Sequence, residues 1–277
     1  MKQAGPASNK PLVFIVMPAY NAAPTLEATF QEIPDPFKEN VLLVDDGSKD
    51  DTPNLARRLG IHTLIHIQNK GYGANQKTCY VEALSHGADI VVMLHPDNQY
   101  DGSRIPAIIE PILRGRADFV MGSRFLQEKR PFRSGMPVYK YLGNRFLTLA
   151  QNTTLGLGLS EYHSGFRAYS RSFLTSIPYL LNSDGFLFDS QVVAQCAAKG
   201  FHAAEIPVDT RYFPEASSID FWVSSVYGIQ TLRVLLQFLL YRVGLSKPRL
   251  FTLALKDVLS PEYARRIFRD QEDSNPR

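Results

Sequence analysis

Cysteine is scarce in this sequence and tryptophan is nearly absent. The 277 residues include two cysteines, Cys79 and Cys196, and a single tryptophan. The cysteines lack CxxC spacing and lie in apolar, helix-like patterns, which argues against a disulfide framework and against a cysteine-rich zinc site. We therefore expect two buried free thiols in a reducing compartment, the cytoplasm.

Long hydrophobic runs are also lacking. The most apolar stretch, Phe221 to Leu245, is interrupted by Arg233, Gln237 and Arg242. It therefore never reaches the uncharged run of about 18 residues that a membrane-spanning helix needs. Residues 1–10 are polar and small, and no cleavage site follows the first apolar run, so no secretory signal is expected.

The chain carries no large excess of charge of either sign. Thirty basic residues face 27 acidic ones, a net charge of +3, which is too mild to indicate nucleic-acid binding. The hydrophobic share of 44% is ordinary for a globular protein. No internal repeat or low-complexity segment is evident.

What the chain does contain is a regular alternation of strand and helix patterns over its first two hundred residues. Predicted helices lie between five predicted strands, which are Leu12 to Met17, Val41 to Val44, His62 to Ile67, Ile90 to Leu94, and Asp118 to Met121. This order predicts an α/β fold with a mainly parallel sheet and helices on both faces.

The pattern is less regular after Gly122. A basic stretch up to Arg145 contains Pro131, Gly135 and Pro137 and is predicted to be a loop. The later predicted strands are Phe166 to Tyr169 and His202 to Val208, and the helix between them is Asp189 to Ala198. One long helix, or a pair divided at Gly228, is predicted over Phe221 to Val243. A further element is predicted over Pro248 to Leu259, and a disordered end over Gln271 to Arg277.

Two acidic turns follow predicted strands. Asp45-Asp46-Gly47-Ser48 follows the second strand, and His95-Pro96-Asp97-Asn98-Gln99 follows the fourth. Ligands of parallel sheets bind beyond the carboxyl ends of the strands, and these oxygen and nitrogen donors suit a divalent cation and a nucleotide. Each turn alone is equally compatible with ordinary turn chemistry.

Two further motifs occupy equivalent positions. Pro18, Tyr20 and Asn21 end the first strand, either as a simple turn or as a site for a nucleobase. Gly71 and Gly73 precede a helix, where their backbone N–H groups could meet a phosphate or a sugar. A dinucleotide fingerprint fails, because its third glycine is absent and the motif does not follow the first strand.

Taken together, the four ordered motifs resemble the family 2 glycosyltransferases, which have the nucleotide-sugar-binding GT-A fold. The resemblance covers residues 12–211 and continues through blocks around Gly122, Glu161, Phe186 and Glu205. The later blocks look most like the polyprenyl-phosphate branch, typified by dolichol-phosphate mannose synthase.

The resemblance implies a role for individual residues. It implies contacts with the nucleobase and ribose for Pro18, Tyr20 and Asp46. The other residues predicted to bind the nucleotide are Asn21, Asp45, Ser48, Gly71 and Gly73. It implies a metal site, for Mn²⁺ or Mg²⁺, for Asp97, Gln99 and His95. It implies contacts with donor or acceptor phosphates for Arg124, Ser164, Arg167 and Arg211, and arginine suits phosphate because its guanidinium presents a fork of donors.

The sequence departs from the family pattern at four positions. His95 replaces the first acid of the metal motif, and neutral imidazole suits Mn²⁺ better than Mg²⁺. Ala22 and Gln191 stand where glutamate is common, and Glu161 replaces aspartate. These departures leave open a degenerate protein that binds a nucleotide sugar without turning it over.

The expected reaction is an inverting transfer of sugar from a nucleoside-diphosphate sugar, with Asp97 catalytic through the metal ion. A polyprenyl phosphate acceptor is already anionic, whereas a hydroxyl of a surface glycan needs a base. Asp189 is the candidate base, and its alternative role is a helix N-cap. A sugar nucleotidyltransferase is disfavoured, because residues 19–25 lack the glycine-rich basic loop that it needs.

The expected organisation is a flexible N-terminus (1–10), a catalytic domain (11–215), an amphipathic helical segment (216–245) and a tail (246–277). The helical segment either lies in a membrane interface with its arginines reaching water, or packs on the catalytic domain or in a homo-oligomer. Any contact with the cytoplasmic face of a membrane is expected to be peripheral.

Overall fold

The computed structural model describes residues 10–126, 138–211 and 221–272. Within these ranges seven strands form one sheet: β1 (Val13–Ala19), β2 (Val41–Asp45), β3 (His62–Ile65), β4 (Ile90–Met93), β5 (Phe119–Ser123), β6 (Arg167–Ser170) and β7 (Ala203–Pro207). The helices are α1 (Ala23–Gln31), α2 (Asp35–Lys38), α3 (Thr52–Arg58), α4 (Tyr72–Ser85), α5 (Ile105–Leu113), α6 (Val138–Leu155), α7 (Arg171–Ser176), α8 (Leu187–Lys199), α9 (Phe221–Arg242), α10 (Arg249–Thr252) and α11 (Pro261–Glu272).

The strand order in the sheet is β3-β2-β1-β4-β6-β5-β7. Ile15 of β1 pairs with Val41 of β2 and with Val92 of β4, both in parallel register. Only β6, among the described strands, runs against its neighbours β4 and β5. The expected mainly parallel α/β sheet is confirmed, and the antiparallel insertion of β6 is an addition to it.

The central strands β1, β2 and β4 are almost wholly apolar, as expected where both faces of a sheet are covered. On β1, Val16 contributes to a core that contains residues of α4, α8 and α9. Its neighbours Ile15 and Met17 point to the opposite core, which contains residues of α1, α3 and α5. Because successive side chains of a strand point to opposite faces, the residues of one buried strand contribute to two separate cores.

Several predicted boundaries needed correction. The helix α6, which was not predicted, begins at Val138 directly after the segment with Pro131, Gly135 and Pro137, and Gly228 does not divide α9. The helix α11 was not foreseen, and it includes Gln271 and Glu272, which were predicted to be disordered. Residues 1–9, 127–137, 212–220 and 273–277 lie outside the described ranges, and with them most of the predicted flexible N-terminus and the predicted boundary at residue 215.

The helix α9 packs against both α6 and α8. Val234, Leu235 and Phe238 are its buried apolar side chains, whereas Leu236 is about half exposed. No helix within the described residues is long and apolar enough to cross a membrane. One side of α9 therefore belongs to the core, and the other faces outward.

The orientation of α9 is testable by truncating one residue on each side. Phe238→Ala removes a buried ring, and we expect it to lower the free energy of unfolding by about 3–5 kcal/mol. Leu236→Ala removes an exposed side chain and is expected to change it by less than about 0.5 kcal/mol. Urea denaturation measures both, and equal losses would contradict this orientation.

Candidate active site

The predicted motifs meet where the strand order reverses. From β1 the chain passes to β2 and β3 on one side and to β4 on the other. The loops that leave the carboxyl ends of β1 and β4 therefore diverge and open a crevice, the usual ligand position in such sheets. Tyr20 and Asn21 follow β1, and His95 to Gln99 follow β4, so both flank this crevice.

The loops after β1 and β2 are joined by hydrogen bonds. The backbone N–H of Asn21 donates to Ser48 Oγ over 2.8 Å, and Asn21 Oδ1 accepts from the backbone N–H of Lys49 over 2.9 Å. Asn21 has a left-handed backbone (φ +50°), which asparagine tolerates well. Pro18 pairs with Val44 within the sheet, and Tyr20, one residue beyond β1, has a half-exposed ring.

The two aspartates after β2 are both buried but have different surroundings. Asp45 Oδ2 accepts from the N–H of Ser48 over 2.9 Å, whereas its buried Oδ1 has no hydrogen-bond partner among the described residues. Asp46 accepts from the N–H groups of Lys70 and Gly71, both at 2.9 Å, and lies 2.6 Å from His66 Nδ1. Asp46 therefore organises the neighbouring loop, and Asp45 retains an unsatisfied acceptor.

The glycines before α4 serve close packing. The N–H of Gly71 is bonded to Asp46, and the N–H of Gly73 donates to the carbonyl of Asp184 over 2.7 Å. A Cβ on Gly73 would lie 2.3 Å from the carbonyl oxygen of Ser183. Both N–H groups are thus engaged within the protein, and their contact with a phosphate stays a prediction.

The turn after β4 presents the remaining acidic group. Asp97 Oδ1 accepts from the N–H of Gln99 over 3.0 Å, while among the described residues Oδ2 has no hydrogen-bond partner. Thr25 Oγ1 donates to the carbonyl of Pro96 over 2.6 Å, and the N–H of Asn98 donates to Thr29 Oγ1 over 3.0 Å. The helix α1 thus holds the turn and leaves one carboxylate oxygen available.

These donors fit a divalent ion when the ligand completes its shell. No cluster of three or more His, Cys, Asp or Glu side chains occurs in the described part of the chain. Asp97 would supply the carboxylate, with Gln99 and His95 beside it in the same turn. Mn²⁺ and Mg²⁺ are commonly bound by one or two carboxylates together with phosphate oxygens, and a site on this turn would follow that pattern.

Tyr72 links this turn to the opposite wall of the crevice, and the sequence analysis did not identify it. Its hydroxyl donates to Asp189 Oδ2 over 2.9 Å and lies 3.3 Å from His95 Nε2. The rings of Tyr72 and His95 are stacked with centroids 5.5 Å apart. Burial, and then the charge of Asp189, raise the pKa of Tyr72 well above its usual value, so the hydroxyl remains a donor.

Asp189 faces a buried cation. Arg167 Nη1 lies 3.0 Å from Asp189 Oδ1, and Arg167 Nε donates to the carbonyl of Ser164 over 2.7 Å. Arg167 and Ser164 are both fully buried, and their contacts with a phosphate stay predictions. The alternative role of Asp189 as an N-cap is also wrong, because the N-cap of α8 is Phe186.

Arg124 and Arg211 both lie close to carboxylates. Arg124 forms an ion pair with Glu161, which is fully buried. Burial raises the pKa of Glu161, but the charge and hydrogen bonds of Arg124 outweigh it and leave that pKa below its usual value. Arg211 donates to Glu32 Oε1 over 2.5 Å and to Asn98 Oδ1 over 2.8 Å, which places it beside the turn after β4.

His163 gives the fold a specific dependence on pH. Burial lowers its pKa from 6.5 to about 4, although nearby Glu161 opposes this shift. The unfolded chain therefore binds more protons than the native protein between these values, and stability falls as the pH drops from about 6.5 toward 4. In the His163→Asn variant, we expect the free energy of unfolding to fall less steeply with decreasing pH, by up to about 1.4 kcal/mol per pH unit.

Urea denaturation of both proteins between pH 7 and pH 5 measures this effect. An identical pH dependence in the variant and the wild type would contradict it.

A second prediction concerns the close packing at Gly73. Gly73→Ala places a methyl group against backbone oxygens of the loop before α8, and we expect a loss of roughly 1–3 kcal/mol. The control is Gly143→Ala in α6, where a Cβ meets nothing within 4 Å; we expect it to be neutral or to stabilise by up to about 1 kcal/mol. Chemical denaturation compares the two, and a neutral Gly73→Ala would refute the close packing.

Two curated relatives are similar to most of the chain. A UDP-N-acetylglucosamine–dolichyl-phosphate N-acetylglucosaminyltransferase of Methanococcus voltae is 27% identical over 218 residues, which span 73% of this chain and 86% of the relative. An undecaprenyl-phosphate mannosyltransferase of Micrococcus luteus is 26% identical over 203 residues, which span 71% and 82%.

Solved structures show the same fold. Glucosyl-3-phosphoglycerate synthase from Mycobacterium tuberculosis in complex with uridine diphosphate has a TM-score of 0.62 at 21% identity, over 86% of this chain and 82% of that one. A second structure of that enzyme, with Mn²⁺, UDP-glucose and phosphoglyceric acid, has a TM-score of 0.59 at the same identity and coverage.

The family model described as Glycosyl transferase family 2 matches residues 14–177. This match spans more than half of the chain and includes the crevice, the turn after β4 and the buried Arg167. The protein therefore belongs to glycosyl transferase family 2 and is a glycosyltransferase of the GT-A fold.

Proposed function

We propose that this protein transfers a sugar from a nucleoside-diphosphate sugar to a polyprenyl phosphate, with inversion and with a divalent ion. The observation that carries the proposal is the convergence of the loops after β1, β2 and β4 on one crevice at the carboxyl edge of the sheet. Two relatives with this acceptor class in their names align with more than two thirds of the chain.

The donor nucleotide is proposed to bind on the β1–β2 side. Tyr20 offers a half-exposed ring for stacking on the base. Asp45 Oδ1 is a buried acceptor that lacks a partner among the described residues, and a donor group of the ligand would satisfy it. Pro18, Asn21 and Ser48 hold this side in shape, and Asp46, with Gly71 and Gly73, fixes the loop beneath it.

The ion is proposed to be Mn²⁺ or Mg²⁺, held by Asp97 with Gln99 and His95. When bound, it would stabilise the negative charge that develops on the departing diphosphate. The imidazole of His95 favours Mn²⁺ over Mg²⁺, and Mn²⁺ accompanies UDP-glucose in the structurally similar synthase. Tyr72 keeps the ring of His95 oriented by stacking and by its hydroxyl.

The environment of Asp189 supports a phosphate acceptor over a hydroxyl. A hydroxyl acceptor needs a carboxylate that can take its proton. Both oxygens of Asp189 are engaged, one beside Arg167 and the other by Tyr72. We therefore assign Asp189 a positioning role, and Arg124 and Arg211 remain as the proposed contacts with donor or acceptor phosphates.

The proposal is tested by incubating the purified protein with UDP-, GDP- and TDP-sugars, Mn²⁺ and a polyprenyl phosphate. We expect a lipid-linked sugar phosphate with one nucleotide. Asp97→Asn should lower turnover by at least about 100-fold, because the ion loses its carboxylate. The control is Asp101→Asn. Its side chain can still accept the hydrogen bond from the N–H of Ser103, and it should leave turnover unchanged.

Two results would overturn the proposal. Transfer to a saccharide hydroxyl, with none to polyprenyl phosphate, would show that the proposed acceptor is wrong. Normal turnover by Asp97→Asn in a folded protein would remove the metal assignment.

A further inference from the structure

An apolar surface made of exposed side chains lies on α6 and α9, two helices that pack against each other. We call it the α6–α9 face. It is defined by Leu142, Phe146 and Leu149 of α6, by Ile229 and Leu236 of α9 and by Val243 one residue beyond the end of α9, each more than half exposed. Monomeric soluble proteins rarely expose contiguous apolar patches of this kind unless the patch has a binding role.

The spacing of these residues places them along one side of each helix. On α6 they are four and three residues apart, and along α9 to the residue after its end they recur every seventh residue. Both spacings return to the same helix face. The opposite side of α9 is already used, because Val234, Leu235 and Phe238 are buried in the core. The helix is therefore apolar on two sides, and its outer side lacks a partner among the described residues.

The charges of this region are all of one sign. The sequence contains no Asp or Glu in residues 138–160 or in residues 221–256. The exposed charged residues Arg145, Arg233 and Arg242 lie on the same two helices. An apolar face bordered by arginines suits an anionic lipid surface, because the apolar side chains enter the acyl boundary and the guanidinium groups reach the headgroups.

We propose that the α6–α9 face docks on the surface of an anionic lipid bilayer. A second copy of the chain fits less well, because a two-fold contact through this face would bring the arginines of two copies together without a single carboxylate from the two helices to offset them. Within the described residues no helix is able to span a membrane, so the contact is with the surface of the bilayer.

Hydrogen bonds tie this face to the crevice. Asn144 of α6 donates to Glu161 Oε1, the partner of Arg124, over 3.3 Å. The hydroxyl of Tyr227 on α9 lies 2.9 Å from His163 Nδ1 and 2.7 Å from Ser190 Oγ, next to Asp189. A bilayer on the face would thus lie close to the site. Binding of this face to a bilayer does not rest on the proposed function. A role of that binding in bringing the polyprenyl phosphate acceptor to the site does rest on it.

The experiment is flotation of the purified full-length protein with vesicles of phosphatidylcholine alone or mixed with phosphatidylglycerol. We expect binding to the anionic vesicles at low salt, with weaker binding as salt rises. Leu236→Glu and Val243→Glu together should lower the bound fraction on the order of tenfold. Arg233→Gln should weaken partitioning to anionic vesicles about fivefold.

The matched control is Leu113→Glu, which changes a similarly exposed leucine at the end of α5, on the opposite face of the sheet. It should bind vesicles as the wild type does. Thermal shifts with UDP-sugar and Mn²⁺ report whether each variant remains folded and binds donor, which separates failure to dock from failure of the proposed function.

Three outcomes would overturn the proposal. The first is no binding of the folded wild type to anionic vesicles. The second is equal binding by the double glutamate variant. The third is a dimer in sedimentation equilibrium that the double variant dissociates, with no vesicle binding by the wild type; this would assign the face to a second copy.

Discussion

A single buried guanidinium, that of Arg167, organises the candidate active site. Arg167, on the antiparallel strand β6, is fully buried beside Asp189 in the first turn of α8. Burial alone would lower the pKa of Arg167, but the charge of Asp189 outweighs it and raises that pKa. Removing one member of such a pair leaves an uncompensated charge in the interior, at a typical cost of about 3–5 kcal/mol. The same carboxylate holds Tyr72, and Tyr72 holds His95, so the ion pair fixes both walls of the crevice.

The same chain of contacts gives the ring of His95 a defined position. Gly165, which has no side chain, leaves space for this ring. A Cβ at Gly165 would lie 2.8 Å from His95 Cδ2. The ring is therefore enclosed by a glycine on one side and stacked on Tyr72 on the other. Specific neighbours therefore fix the position of His95.

The sequence predicted most of the parallel sheet and the edge at which the site lies, because apolar runs and the turns that end them are local patterns. It did not predict the direction of β6, since β6 is a short strand whose orientation depends on distant partners. It also missed the start of α6, where nearby Pro137 and Gly135 indicated a loop. The role of Gly73 depends on the loop before α8 and that of Tyr72 on Asp189 in the first turn of α8, both more than 100 residues away, and no local pattern reports such contacts.

The two cysteines bring a practical benefit. Cys79 and Cys196 are buried free thiols, as predicted, and burial raises the pKa of each well above its usual value. Thiols kept protonated and out of solvent react slowly with alkylating labels. The natural chain is therefore a nearly silent background for maleimide chemistry. One cysteine introduced at a chosen surface position would carry a fluorophore or a spin label there without removal of the native pair.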